Sequence, residues 1–344
     1  MIKFFRSYNP LNIVWLAILL CILRAGYLYS LPAKTDFPFA ELFSRLHLSA
    51  AYRYNVPPAL NLFIASIIVF IQALLLNYLV NYHNLLGKST FLPAIMYITA
   101  SGLLTPFLLL GPPLVCNFLV IWMLFKILGF YKGDDAKSTS YDLGMIVAVG
   151  TLFYLPFIYM FLCVWIALMI FRPFNWREWV ACIIGFATVF FFLAVSYYLS
   201  DSMGQFYDIW LPLTTKFQFK LSFNYYNYLV LIPVIIILVL GFFKLQQNFF
   251  KSYVQTRKSM QLLLFVALIG GFSFYIRPDF HPDHFLLCAV PAAVFFSYYF
   301  LYASYRWFYE SLYILLLASI IISSLTLFNF YIRSNFRRYI SFVS

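Results

Sequence analysis

Arg277-Pro-Asp-Phe-His-Pro-Asp-His-Phe285 is a polar island between two apolar runs, each long enough to enter a bilayer. It carries two of the four histidines of the chain, His281 and His284, beside Arg277, Asp279 and Asp283. Only 10% of all residues are charged. Two readings suit so dense a patch of polarity. It is a solvated loop between two transmembrane helices, where polar residues belong, or one wall of a site at the membrane surface.

Working outward, the composition sets the class. Hydrophobic residues make up 64% of 344 residues and the mean hydropathy is +0.87, far above the roughly half-apolar usage of soluble domains. The chain reads as one all-α transmembrane domain over 1–344, with room for about ten spans of ~20 residues. The first apolar run lacks a small-residue cleavage signature, so it reads as a retained helix. The five cysteines sit inside apolar runs at irregular spacing, with neither a disulfide framework nor a metal-ligand pattern. A net charge of +12 without a basic domain excludes nucleic acid and points to loop lysine and arginine facing anionic headgroups. The lipid bilayer is therefore the first partner.

Lys3 and Arg6 precede the first run, Leu11–Leu31, and place the N-terminus in the cytoplasm. Arg24, in the outer half of that span, either faces a protein partner or snorkels to the interface. Pro32–Pro57 is then an outer loop, in which Phe39, Leu42, Phe43 and Leu46 recur at helical spacing opposite Glu41 and Arg45. That pattern predicts an interfacial helix on the outer leaflet. Asp36 stands just before it, where the chain leaves the bilayer.

Further spans follow at Pro58–Val80, Leu92–Leu110 and Pro112–Phe130. The loop Tyr131–Tyr141, with its balanced Asp134 and Asp135, reads as a solvated cytoplasmic turn. Asp142–Phe171 is long for one span, and Pro156 in its middle favours a break. A hairpin of short helices returns Arg172, Arg177, Lys244, Lys251, Arg257 and Lys258 to the cytoplasm, as the excess of positive charge inside requires. Glu178–Ser200, Tyr225–Phe243, Gln261–Ile276, Phe285–Ser304 and Glu310–Tyr331 complete about eleven membrane segments. The tail Arg333, Arg337 and Arg338 then lies outside, against that rule. On this topology Asp36, Glu41, Asp201, Asp208, Asp279 and Asp283, six of the eleven acidic residues, share the outer face with His281 and His284.

The run from His281 to Val294, a polar outer loop leading into an aromatic-Leu-Leu-x-x-x-Pro helix, resembles membrane glycosyltransferases of the C superfold. Leu143–Phe192 is similar to the same superfold, with a glycine-bearing short helix, a proline break, an Arg-Pro-Phe-Asn-Trp-Arg-Glu-Trp turn and a following span. In that superfold the first outer loop carries a catalytic aspartate and an interfacial helix. Asp36 and Pro38–Arg53 match those by position, although Asp36 lacks the adjacent acid often found there. The whole chain also resembles uncharacterised bacterial inner-membrane proteins that share its Lys-Phe-Phe-Arg-Ser-x-Asn-Pro start and have been labelled carotene oxygenases. Four-histidine iron chemistry needs four imidazoles on one metal. His83 is expected on the cytoplasmic side and His47, His281 and His284 on the outer side, so that label is rejected, and no metal or cofactor is expected.

The resemblance implies transfer of a sugar from a polyprenyl-phosphate donor to an envelope acceptor on the outer face of the inner membrane. Asp36 would be the catalytic base. Arg24, Glu41, Arg53, Arg277, Asp279, His281, Asp283 and His284 would hold the substrates, arginine being suited to bidentate phosphate contacts. The competing expectation is a non-enzymatic transporter, flippase or scaffold with envelope protein partners. Its mid-depth polar candidates are Asn61, Gln72, Asn77, Asn117 and Lys126.

Overall fold

Prolines and glycines set where the helices begin and turn. The computed structural model describes residues 1–28, 57–130, 136–208, 210, 225–276 and 282–343. After a short turn at Ile2–Phe5, α1 runs over Asn12–Leu28 and α2 over Pro58–Tyr82. Pro58 is the first residue of its helix, where the missing N–H costs nothing. α3 (Leu92–Ala100) is followed by a 3-10 turn at Thr105–Leu108 and by α4 (Pro112–Gly129), which opens on Pro112 and Pro113 after the extended Gly111.

α5 covers Ala136–Phe153 and ends at Tyr154, whose backbone is extended (φ −151, ψ 109). A 3-10 turn with Pro156 near its start spans Leu155–Tyr159, and α6 (Met160–Phe171) leads away from it. α7 (Trp176–Leu199) begins behind the Asn175 cap, whose side chain accepts from the Arg177 N–H and donates to Glu178 Oε1 at 3.3 Å. α8 (Tyr225–Asn248), α9 (Val254–Phe272), a 3-10 stretch at Pro282–Cys288, α10 (Ala289–Tyr302) and α11 (Arg306–Val343) complete the order. Among the described residues every regular element is helical.

Among the described residues seven helices are long and apolar enough to cross a membrane: Pro58–Tyr82, Pro112–Gly129, Trp176–Leu199, Leu229–Asn248, Val254–Tyr275, Pro282–Tyr302 and Arg306–Ser324. Asn12–Leu28 and Leu155–Phe171 are shorter apolar helices. Large apolar side chains such as Trp15, Phe63, Phe191 and Ile232 are exposed along these helices. Only a lipid solvent accommodates such a surface, so the chain is a membrane protein.

α5 and α7 run parallel. Gly144 abuts the Cys182 carbonyl and Gly185 that of Tyr141, while further along Ala148 and Leu152 cluster with Phe190 and Tyr197. α6 runs back alongside α7, with Phe161 against Phe186 and Trp165 against Trp179. The chain therefore reverses at Tyr154.

Among the described residues the two ends of the bundle differ in charge. At one, Arg6 donates to the Phe300 and Ala303 carbonyls, the N-terminal ammonium meets Glu310 at 2.8 Å, Lys126 pairs with Asp142 and Arg172 with Glu178. Lys88, Arg177, Lys251, Arg257 and Arg306 belong to the same end by chain position. Tyr302 donates to the Leu86 carbonyl beside Gly87, whose φ of 72 is a left-handed conformation that glycine adopts freely. Lys126, one of the polar candidates within the spans, thus has a carboxylate partner at this end. Helix begins at Ala136, so the expected loop through Tyr141 is shorter at its C-terminal side.

Between the ends, a buried chain of polar groups ties four elements together. Gln72 Nε2 donates to the Leu114 carbonyl, Tyr97 Oη to Gln72 Oε1 at 2.7 Å, and Asn117 Nδ2 to Tyr97 Oη and the Leu286 carbonyl. In lipid such bonds hold helices together, each contributing about 0.6 to 1.7 kcal/mol. Here they fix the segment from Pro282 against α3 and α4.

Candidate functional site at the polar end

The opposite end is organised by residues 101–111, the irregular connection from α3 to α4. A non-helical backbone at membrane depth needs partners for its amides and carbonyls. Asn61 of α2 accepts from the Leu110 N–H at 2.7 Å, and Arg24 of α1 donates to the Leu108 carbonyl at 2.9 Å. Asp283 reaches the same turn: its Oδ2 lies 3.9 Å from where a Cβ on Gly111 would stand, and its Oδ1 is buried without a hydrogen-bond partner.

His284 is 2% exposed. Its Nε2 lies 2.8 Å from the Gly270 carbonyl and 3.1 Å from Ser273 Oγ, and its Nδ1 lies 2.7 Å from Tyr154 Oη. Ser273 donates its own hydroxyl proton to Gly270, so it accepts from the ring. The arrangement assigns the proton to Nε2 and leaves Nδ1 to accept from Tyr154. This imidazole joins the α5–α6 reversal to the end of α9. Expected as a substrate contact in an exposed loop, it instead clamps the fold, and helical structure already begins at Pro282.

Arg24 is 4% exposed. Its Nη1 faces the Leu62 carbonyl at 3.4 Å, Ser66 Oγ at 3.2 Å and the Leu108 carbonyl, while Nη2 has no hydrogen-bond partner. Of the two expectations for this residue, the structure takes the protein-facing one. No carboxylate is paired with it among the described residues. It lines a groove of about 420 Å³ between α1 and α2 whose other walls are mostly aliphatic and aromatic.

Of the residues expected from sequence to form a site, Arg24 and Asp283 both border the Leu108–Gly111 stretch, and His284 follows Asp283. Asp36, Glu41, Arg53, Arg277, Asp279 and His281 lie outside the described residues, as do the expected interfacial helix and Asp134 with Asp135. The described flanks of those segments, Leu28 with Pro57 and Ile276 with Pro282, stand at the polar end. Sequence reasoning missed Ser66, Tyr154 and Ser273. Only Tyr154 carried a signal, its place just before the Pro156 break. Among the described residues no group of three His, Cys, Asp or Glu is arranged to hold a metal ion.

A family model matches residues 36–334. The chain belongs to that family of unknown function, DUF6427. No curated protein and no solved structure matches the chain. The DUF6427 segment takes in Asp36, the Asn61 and Asp283 contacts and the His284 clamp, whereas Arg24 precedes it.

Proposed function

We propose that this DUF6427 protein is a glycosyltransferase of the C-superfold kind, with about eleven membrane segments, in a bacterial inner membrane. It would transfer a sugar from a polyprenyl-phosphate donor to an envelope acceptor at the polar end. The observation that carries the reading is the meeting of Arg24, Asn61 and Asp283 on one irregular turn, at the end from which the Asp36 and Arg277–His281 segments also depart. The concentration of lysine and arginine at the other end supports a cytoplasmic N-terminus and an outward polar end.

The chemistry asks little of the protein. The acceptor oxygen forms a bond to the anomeric carbon, the bond from that carbon to the lipid phosphate breaks, and the acceptor proton passes to a base. Asp36 is the base in this reading. Arg277, Arg53 and Arg24 offset charge on the departing phosphate. In proteoliposomes supplied with a radiolabelled polyprenyl-phosphate sugar and a membrane acceptor extract, Asp36→Asn should abolish release of polyprenyl phosphate while the protein elutes as wild type. Arg277→Ala should retain part of the rate, since a positioning contact costs less than the base. Full turnover in Asp36→Asn would remove the reading.

A further inference from the structure

We infer that the groove between α1 and α2 is the seat of a single-chain lipid phosphate, with the Arg24 guanidinium holding the phosphate and the chain lying along the groove. The inference deepens the transfer reading by naming where its lipid is held, yet its test needs no turnover.

A guanidinium within a membrane helix faces protein or water and has a counter-charge. Arg24 faces protein, and among the described residues its hydrogen bonds go to two carbonyls and one hydroxyl, all from Nη1. The hydroxyl accepts from Arg24, since Ser66 donates its own proton to the Leu62 carbonyl at 2.6 Å. Nη2 is left buried with two N–H groups and no acceptor, and the Arg24 side chain borders the groove. A phosphate oxygen supplies what is missing, because guanidinium and phosphate match in charge and in fork geometry.

The groove dictates the rest of the ligand. Its lining runs from Leu28 back to Ala17 on α1 and from Ala59 to Phe70 on α2, so each wall is ~16 Å long at 1.5 Å per residue. A volume of about 420 Å³ over ~16 Å leaves a mean cross-section of ~26 Å². One hydrocarbon chain with neighbouring carbons at ~4 Å occupies about 20 Å². The groove is thus as wide as one chain. Arg24 lies four residues from Leu28, ~6 Å along the helix, which leaves the apolar walls toward Ala17 for the chain.

The groove holds its own reporter. Cys21 lines it one turn from Arg24 and is exposed, whereas Cys116, Cys163 and Cys182 are buried. In detergent, alkylation of Cys21 by N-ethylmaleimide should slow at least five-fold with farnesyl phosphate. Farnesol, with the same chain and no charge, and the two-chain phosphatidylglycerol should each change it less than two-fold. Arg24→Gln should abolish the protection and Arg24→Lys should keep part of it. Unchanged labelling with farnesyl phosphate in the wild-type protein would overturn the proposal without any variant. Equal protection by farnesol would reduce the groove to an apolar filler, and equal protection by phosphatidylglycerol would make it a bulk-lipid contact. Either result overturns the assignment. Loss of sugar transfer with protection intact would sink only the enzymatic reading.

Discussion

The crossing of α5 and α7 offers the sharpest test of the fold. A Cβ on Gly144 would fall on the Cys182 carbonyl oxygen and 2.9 Å from the Phe186 nitrogen; one on Gly185 would fall on the Tyr141 carbonyl oxygen and 2.9 Å from its carbon. Neither neighbour is a flexible side chain, so an alanine at either position must push the helices apart. Restoring ordinary contact takes a shift of more than about 1 Å, and a gap of ~0.5–1 Å already forfeits a quarter to a half of the dispersion energy of the atoms it separates. Without a hydrophobic drive between helices in lipid, close approach at small residues is a main source of cohesion. Gly144→Ala and Gly185→Ala should therefore each destabilise by about 1–3 kcal/mol, the usual range for overpacking. The double variant should cost less than the two singles together, because the first alanine already makes room for the second. Unfolding in mixed micelles, followed by the fluorescence of the adjacent Trp165 and Trp179, measures this. Singles within about 0.5 kcal/mol of wild type, or a strictly additive double, would refute the close crossing.

Two further outcomes follow from particular contacts. Tyr154→Phe removes the 2.7 Å bond to the buried His284 Nδ1 and should cost about 1–3 kcal/mol, seen as faster proteolysis of the α5–α6 reversal in detergent. For topology, a membrane-impermeant maleimide applied to intact spheroplasts, in a background without Cys21, should modify Asp279→Cys and leave Lys251→Cys untouched; the reverse pattern would invert the orientation.

Much of the secondary structure was legible because it depends on nearest neighbours and on the solvent. Apolar runs of bilayer length form helices, since lipid offers backbone groups no other partner, and Pro58, Pro112 and Pro156 mark starts and interruptions through their missing N–H. The uneven distribution of lysine and arginine is likewise visible in one dimension. The site was less legible. Asp283 and Arg24 could be singled out as polar residues in an apolar chain, but their contacts come from a turn more than eighty residues after Arg24 and some 170 before Asp283. No local periodicity encodes such a meeting.

By itself, the sequence determined an all-α membrane protein, the approximate places of its helices and the richness of basic groups that gathers at one end, because these follow from composition and local backbone chemistry. Only the tertiary structure decided that α5 and α7 run parallel in contact at Gly144 and Gly185, that His284 is a buried clamp and that Arg24 is buried with an unpaired Nη2 beside an apolar groove. Those outcomes rest on carbonyls and hydroxyls found in every chain, and which of them a side chain meets is set by how distant helices pack.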